Sequence, residues 1–126
     1  LKYILNGRIC PYCAEPSVFV DSKRIYGVSH GMIYLCIPCN AYVGVHKNSK
    51  KALGRLADKE LRSWKMKAHK NFDKLWRSKK MSRKVAYKWF SEKMGIDPEF
   101  AHIGMLDVDQ CIKLVFLCQE EMKTWF

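Results

Sequence analysis

Cys10-Pro11-Tyr12-Cys13 and Cys36-Ile37-Pro38-Cys39 decide how the first third of the chain reads. Each pair sets two thiols on one short turn. The 22 residues between the pairs suit two knuckles joined by strands. Two thiolates from each turn can meet at one point, and four complete the tetrahedral shell of a structural zinc ion. The spacing therefore predicts one structural Zn2+ held by Cys10, Cys13, Cys36 and Cys39. A filled shell leaves no position for an activated water, so the metal is expected to hold structure and not to catalyse. The competing use of Cys-x-x-Cys, in redox chemistry, normally opens a helix after a strand, and neither pair is followed by a helical pattern.

Outward from the knuckles, residues 17–20, 24–28, 31–35 and 41–45 are short runs rich in β-branched and aromatic side chains, with polar or glycine-containing breaks between them. They read as the strands of a zinc-ribbon-like module. Residues 46–51 are polar and basic and read as an exposed loop.

Beyond that loop the period changes from two to about 3.6. Leu61, Trp64, Ala68, Phe72 and Leu75 recur at intervals of three and four, which predicts a helix over 58–78 with one apolar face. On the opposite side of the same wheel lie Lys59, Arg62, Lys67, Lys70, Lys74 and Arg77, a stripe of cations along the helix. A second helix is expected from Ser82 to just before Gly95, with Val85, Ala86, Trp89, Phe90 and Met94 as its apolar positions. Pro98 makes residues 96–106 a connection with at most a short turn of helix. Asp107 with Gln110 is the pattern of a capping box, opening a third helix whose apolar face is Val108, Cys111, Leu114, Val115, Cys118 and Met122. Cys111 and Cys118, seven residues apart on that face, read as small core residues.

Charge is unevenly spread. The formal net charge is +11 with neutral thiols, and four thiolates on one zinc bring it to about +9. Residues 47–93 hold 17 cations and four acids, whereas residues 94–126 carry a net charge of −4. Most of the central lysines have no acid at i+4 and repel one another unless an anion is supplied. A solvated lysine face that only maintains solubility is the plainer reading of the same residues. No apolar run is long enough to cross a membrane, and residues 1–9 lack the apolar stretch of a secretory leader. These features place the chain in the cytoplasm, where metal ligation by the cysteines is favoured over disulfides.

The motifs resemble the zinc-finger-containing domain family of bacterial and phage proteins. The resemblance rests on Cys10-Pro11-Tyr12-Cys13, on Leu35-Cys36 through Pro38-Cys39-Asn40-Ala41-Tyr42-Val43-Gly44-Val45-His46, and on Leu53-Gly54. It continues through Leu61-Arg62 with Trp64, and Ala68-His69 through Phe72-Asp73-Lys74-Leu75-Trp76. Ala86-Tyr87-Lys88-Trp89 and His102-Ile103-Gly104 look like later parts of the same pattern. The resemblance implies zinc binding by the four cysteines and a phage or prophage setting, and it implies no particular activity. Cys36-x-x-Cys39-Asn40 also looks like the second knuckle of zinc-containing HNH endonucleases. Those enzymes carry an Asp-His pair between the knuckles, where this chain has only His30 preceded by Ser29.

The expected architecture is α+β: a zinc-ribbon-like β module over residues 1–52 and a basic region of three helices over residues 53–126, sharing one core. The expected function is zinc-stabilised nucleic-acid binding, with phosphates contacted by Lys59, Arg62, Lys67, Lys70, Lys74 and Arg77. A module that binds an acidic protein partner, such as a phage-encoded inhibitor of a host protein, is the second reading. A nuclease using His46, His69 or His102 is the third.

Overall fold

Met32-Ile33-Tyr34-Leu35-Cys36 is an apolar run without alternation, and such a run suits a strand covered on both faces. In the computed structural model, which describes residues 1–125, it is the central strand of an antiparallel sheet. The strands are β1 (Val18–Asp21), β2 (Met32–Cys36) and β3 (Ala41–Gly44), in that spatial order. Val18 faces Leu35 across the first pair, and Cys36 faces Ala41 across the second. Ile33, Tyr34, Leu35 and Cys36 are all buried, whereas β3 alternates, with Ala41 and Val43 inward. Phe19 packs on Tyr34 with ring centroids 4.9 Å apart.

The chain divides into two compact units, Leu1–Lys59 and the residues from Glu60 onward. The first unit runs past the division expected at 52/53 because the chain after the basic loop returns along the free edge of β3. Ala52 bridges Val45 and Ala57 bridges Tyr42. Tyr42 and Ala57 exchange both backbone hydrogen bonds, at 3.0 and 3.1 Å. This return pairs edge groups that would otherwise be open and brings Ala52 and Leu56 into the core with Cys10, Tyr34, Cys36, Ala41 and Val43. Gly7 lies so close to it that an added Cβ would stand 2.9 Å from the Cβ of Ala52. No side chain fits there without moving the backbone.

One expected strand is absent. Residues 24–28 have the composition of an extended segment, but Lys23–Tyr26 form a short helix, α2. The cause lies in the residues that flank it. Asp21 accepts a hydrogen bond from the Lys23 N–H at 2.8 Å and from the Ser29 hydroxyl at 2.9 Å, and the buried Ser22 hydroxyl accepts from the His30 N–H at 2.7 Å. Asp and Ser side chains turn the backbone by satisfying its donors locally, and here they override the β propensity of Ile25 and Tyr26. The backbone donor of Lys23, followed by Ser29, also holds the Asp21 carboxyl below its usual range. A further short helix, α1 (Lys2–Leu5), has no counterpart in the sequence reading.

The second unit follows its sequence pattern closely. Helix α3 (Lys59–Arg77) buries Leu61, Ala68, Phe72 and Leu75, with Trp64 half-buried. Helix α4 (Arg83–Met94) is capped by the Ser82 hydroxyl, which accepts from the Val85 N–H at 3.1 Å, and ends at Gly95. Its buried face is Ala86, Phe90, Ser91 and Met94, and Ser91 donates to the Ile96 carbonyl at 2.6 Å. Val85 does not belong to that face and is 51% exposed. At ~100° per residue it lies opposite the centre of the buried arc, so this apolar position faces outward. Phe72 of α3 meets Phe90 and Tyr87 of α4 edge-on, at 5.3 and 5.0 Å between centroids.

Two 3-10 turns, Pro98–Phe100 and Ile103–Met105, form the connection to α5 (Val108–Lys123). The capping box is complete: Asp107 accepts from the Gln110 N–H at 2.8 Å, and the Gln110 side chain accepts from the Asp107 N–H at 2.9 Å. Cys111, Leu114 and Cys118 are buried. Replacing Asp107 by Ala should destabilise the helical unit by about 1 kcal/mol through loss of the cap. Calorimetry would read this as a lower transition temperature with zinc content unchanged. The fold is thus α+β, an antiparallel sheet bearing the cysteine knuckles followed by three longer helices.

Candidate metal centre

Each knuckle is built by its own backbone. In the first, the Cys10 N–H donates to the Glu15 carbonyl at 2.9 Å, the Ala14 N–H to the Cys10 carbonyl at 2.9 Å, and the Tyr12 N–H to the Cys10 Sγ at 3.4 Å. In the second, Cys36 ends β2 and Ala41 opens β3, so the knuckle is itself the hairpin turn. The Asn40 N–H closes that turn on the Ile37 carbonyl at 3.2 Å. Both turns end in a left-handed residue immediately after the second cysteine, Ala14 at φ +65° and Asn40 at φ +50°. Asn tolerates this conformation, whereas Ala adopts it at a cost of about 1–2 kcal/mol. A left-handed residue at the same position thus follows both pairs.

The two turns bring four sulfur atoms together. Cys10, Cys13, Cys36 and Cys39 place their Sγ atoms within 4.8 Å of one another, and Cys13 and Cys36 are 3.6 Å apart. A tetrahedron with Zn–S bonds of ~2.3 Å has edges of about 3.8 Å, so the spacing fits zinc. Cys10 and Cys36 are buried, Cys39 is half-buried and Cys13 is exposed.

The electrostatics of the cluster call for a cation. Its neighbour Cys13, followed by burial, pushes the Cys39 thiol up to about 12. Burial raises Cys36, while the Glu15 N–H draws Cys13 down. Thiols this close cannot all ionise alone, and a divalent metal is what stabilises four thiolates at such range. The site holds one structural zinc, with four protein ligands and no open position.

Tyr12, between the first two cysteines, is a partner that the sequence did not single out. Its hydroxyl accepts from the Asp58 N–H at 3.1 Å, and burial raises its pKa to about 12 against the lowering effect of that N–H. The tie fixes the first knuckle to the end of the strand return, and no spacing rule links positions 46 residues apart.

The expected phosphate-contacting residues lie along α3 as the wheel required. Lys59, Lys67, Lys70, Lys74 and Arg77 are exposed and Arg62 is half-buried. Local contacts engage Lys67 and Arg77. The Lys67 ammonium sits 4.5 Å from the centroid of the Trp64 ring, and Arg77 pairs with Asp73 at 3.8 Å while lying 5.2 Å from the Trp76 ring. Such contacts leave N–H edges available to an anion.

The histidines do not join the cysteines. Among the described residues, the grouping of three or more His, Cys, Asp or Glu able to hold a metal is the four-cysteine cluster. His46 follows β3 in the first unit. His69 lies on α3, where burial lowers its pKa against the opposing pull of Asp73. His102 precedes a 3-10 turn, with its ring 6.0 Å from that of Tyr87. Cys111 and Cys118 are fully buried on α5, and burial pushes the Cys118 thiol up to about 12, as for a core side chain that does not ionise.

Comparison with known proteins agrees with this centre. Neither the curated proteins nor the solved structures include a significant match to the chain. The profile of a zinc-finger-containing domain matches residues 6–121, a span that includes both knuckles and most of the three longer helices. The chain belongs to the zinc-finger-containing domain family.

Proposed function

We propose that this is a zinc-stabilised nucleic-acid-binding protein whose basic helix α3 contacts phosphates while the zinc site keeps the sheet rigid. The observation that carries the reading is the segregation of charge on α3. One side commits Leu61, Ala68, Phe72 and Leu75 to the interior, and the other presents Lys59, Lys67, Lys70, Lys74 and Arg77 to solvent. Asp73, 3.8 Å from Arg77, offsets one of these charges and leaves the stripe strongly positive. A stripe of this kind can follow a phosphate backbone, and each contact releases counterions. Lysine-to-phosphate contacts position a protein without reading bases, so sequence preference is expected to be weak. The cytoplasm, where thiols stay reduced and available to zinc, and a phage or prophage setting belong to the same proposal. Among the described residues no helix is long and apolar enough to cross a membrane.

A salt titration of binding to DNA and RNA tests it. With ~4–6 phosphate contacts on duplex DNA, log K should fall against log salt with a slope of roughly −4 to −5. Absence of binding at ~50 mM salt, where a basic binder is near its tightest, would move the reading to an acidic protein partner. Cleavage of the labelled nucleic acid, lost in His46→Ala or His69→Ala with zinc retained, would make the protein a nuclease.

A further inference from the structure

The basic character is densest at the end of α3 and just beyond it. Between Lys74 and Lys84 the chain carries Lys74, Arg77, Lys79, Lys80, Arg83 and Lys84 and no acid. This segment is the corner where α3 ends and α4 begins. All six side chains are exposed, and two of them are held in place by an aromatic ring.

Trp76 is that ring. The Arg77 guanidinium carbon lies 5.2 Å from its centroid and that of Arg83 lies 5.6 Å from it. Arg83 also lies 5.1 Å from the Tyr87 ring. The Trp76 indole nitrogen is buried and has no hydrogen-bond partner among the described residues, so packing and the two arginines hold the ring. An arginine resting on an aromatic face has lost much of its rotamer freedom while its N–H donors stay free at the rim. It therefore gives up less entropy when a phosphate arrives.

The turn adds a second, independent observation. Lys79 has φ +66°, in the left-handed region, two residues beyond the end of α3. Its N–H closes on the Trp76 carbonyl at 3.1 Å. After α4 the left-handed residue is Gly95, at φ +65° directly beyond Met94. Glycine adopts this conformation without steric cost, and lysine does not. A strained residue that brings a positive charge to a corner already crowded with cations costs stability twice over. Binding an anion there would offset the charge repulsion.

We propose that the α3–α4 corner is a phosphate clamp for nucleic acid, in which Arg77 and Arg83, both braced against Trp76, grip the sugar–phosphate backbone with Lys79 beside them. The clamp rests on the nucleic-acid reading above and concentrates its contacts at one end of the stripe, adding a residue of α4 to it. Both faces of Trp76 need not be open, since the ring works as a brace and not as a stacking platform. Asp73, which pairs with Arg77 at 3.8 Å, is the acid that a phosphate displaces or shares.

The double variant Arg77→Lys with Arg83→Lys tests the clamp because it retains every charge. Lysine offers a point charge without the planar fork, so affinity for a labelled oligonucleotide should fall roughly tenfold with the salt slope unchanged. Lys79→Gly should raise the transition temperature of the helical unit while weakening the same binding. A Lys59→Gln, Lys70→Gln control, outside the corner, should instead flatten the slope by roughly 2. If wild type binds and the double arginine variant binds equally well, the clamp is wrong and the stripe reading stands. If wild type fails to bind the oligonucleotide, both fall. Binding of polyglutamate but not of the oligonucleotide would overturn the clamp in favour of an acidic protein.

Discussion

Replacing Cys36 by Ser is expected to abolish zinc binding and unfold the sheet of the N-terminal unit. Cys36 is the last residue of the central strand, it pairs with Ala41 across the second knuckle, and it is buried in the core with Cys10 and Tyr34. Serine supplies neither a soft ligand nor the volume of sulfur. The magnitude follows from the size of the unit. Structural zinc contributes an apparent ~10–16 kcal/mol in zinc-finger peptides, whereas a whole domain is stable by only about 5–15 kcal/mol. A sheet of three four- or five-residue strands has no comparable reserve. Metal analysis should therefore fall from one zinc per chain to near zero, with loss of the β signal in circular dichroism. A chelator added to the wild type should do the same. Cys118→Ala is the control: it removes an equally buried sulfur from α5 and should leave the zinc content at one. Full zinc retention in Cys36→Ser, or zinc loss in Cys118→Ala, would show that the metal is held by another set of residues.

The second large effect is expected from changing Lys70, Lys74 and Arg77 together to Glu. All three are exposed on α3, so the core formed by Phe72 and Leu75 is untouched. The local costs are small. A glutamate in place of Arg77 would meet Asp73 across one helical turn and replace the present ion pair with a repulsion, at about 0.2–0.5 kcal/mol. An acid in the last turn also opposes the helix dipole by roughly 0.3–1 kcal/mol. The effect on binding is of another order, because three attractive phosphate contacts become three repulsions. Binding should disappear for all sequences alike, with zinc retained and the thermal transition lowered only slightly. Selective loss of one sequence would mean that base edges are being read. Unchanged binding would move the interface off α3 altogether.

Much of this centre and fold was legible because its determinants are local. The Cys-x-x-Cys turns carry their own backbone closure, so the ligand set could be read from two four-residue windows. Ser82, Gly95 and the Asp107–Gln110 box set helix ends through bonds spanning three to five residues. Misreadings arose wherever a side chain acted out of view of a short window. Residues 24–28 have strand composition, yet Asp21, Ser22 and Ser29 bend them into α2. Val85, one of the apolar positions of α4, is exposed because the angle of Ala86, Phe90 and Met94 excludes it from the buried face.

The sequence by itself determined the metal, its four ligands, the order of the longer helices and which face of α3 carries charge. Each of these depends on residue type and period within one element. Tertiary structure alone decided that residues 52–57 close the edge of β3, that Tyr12 is tied to Asp58, and that Arg83 of α4 shares Trp76 with Arg77 of α3. These pairings join separate elements, and neither spacing nor periodicity encodes where two elements meet. The packing of buried side chains such as Leu56, Phe72 and Phe90 sets those meeting points.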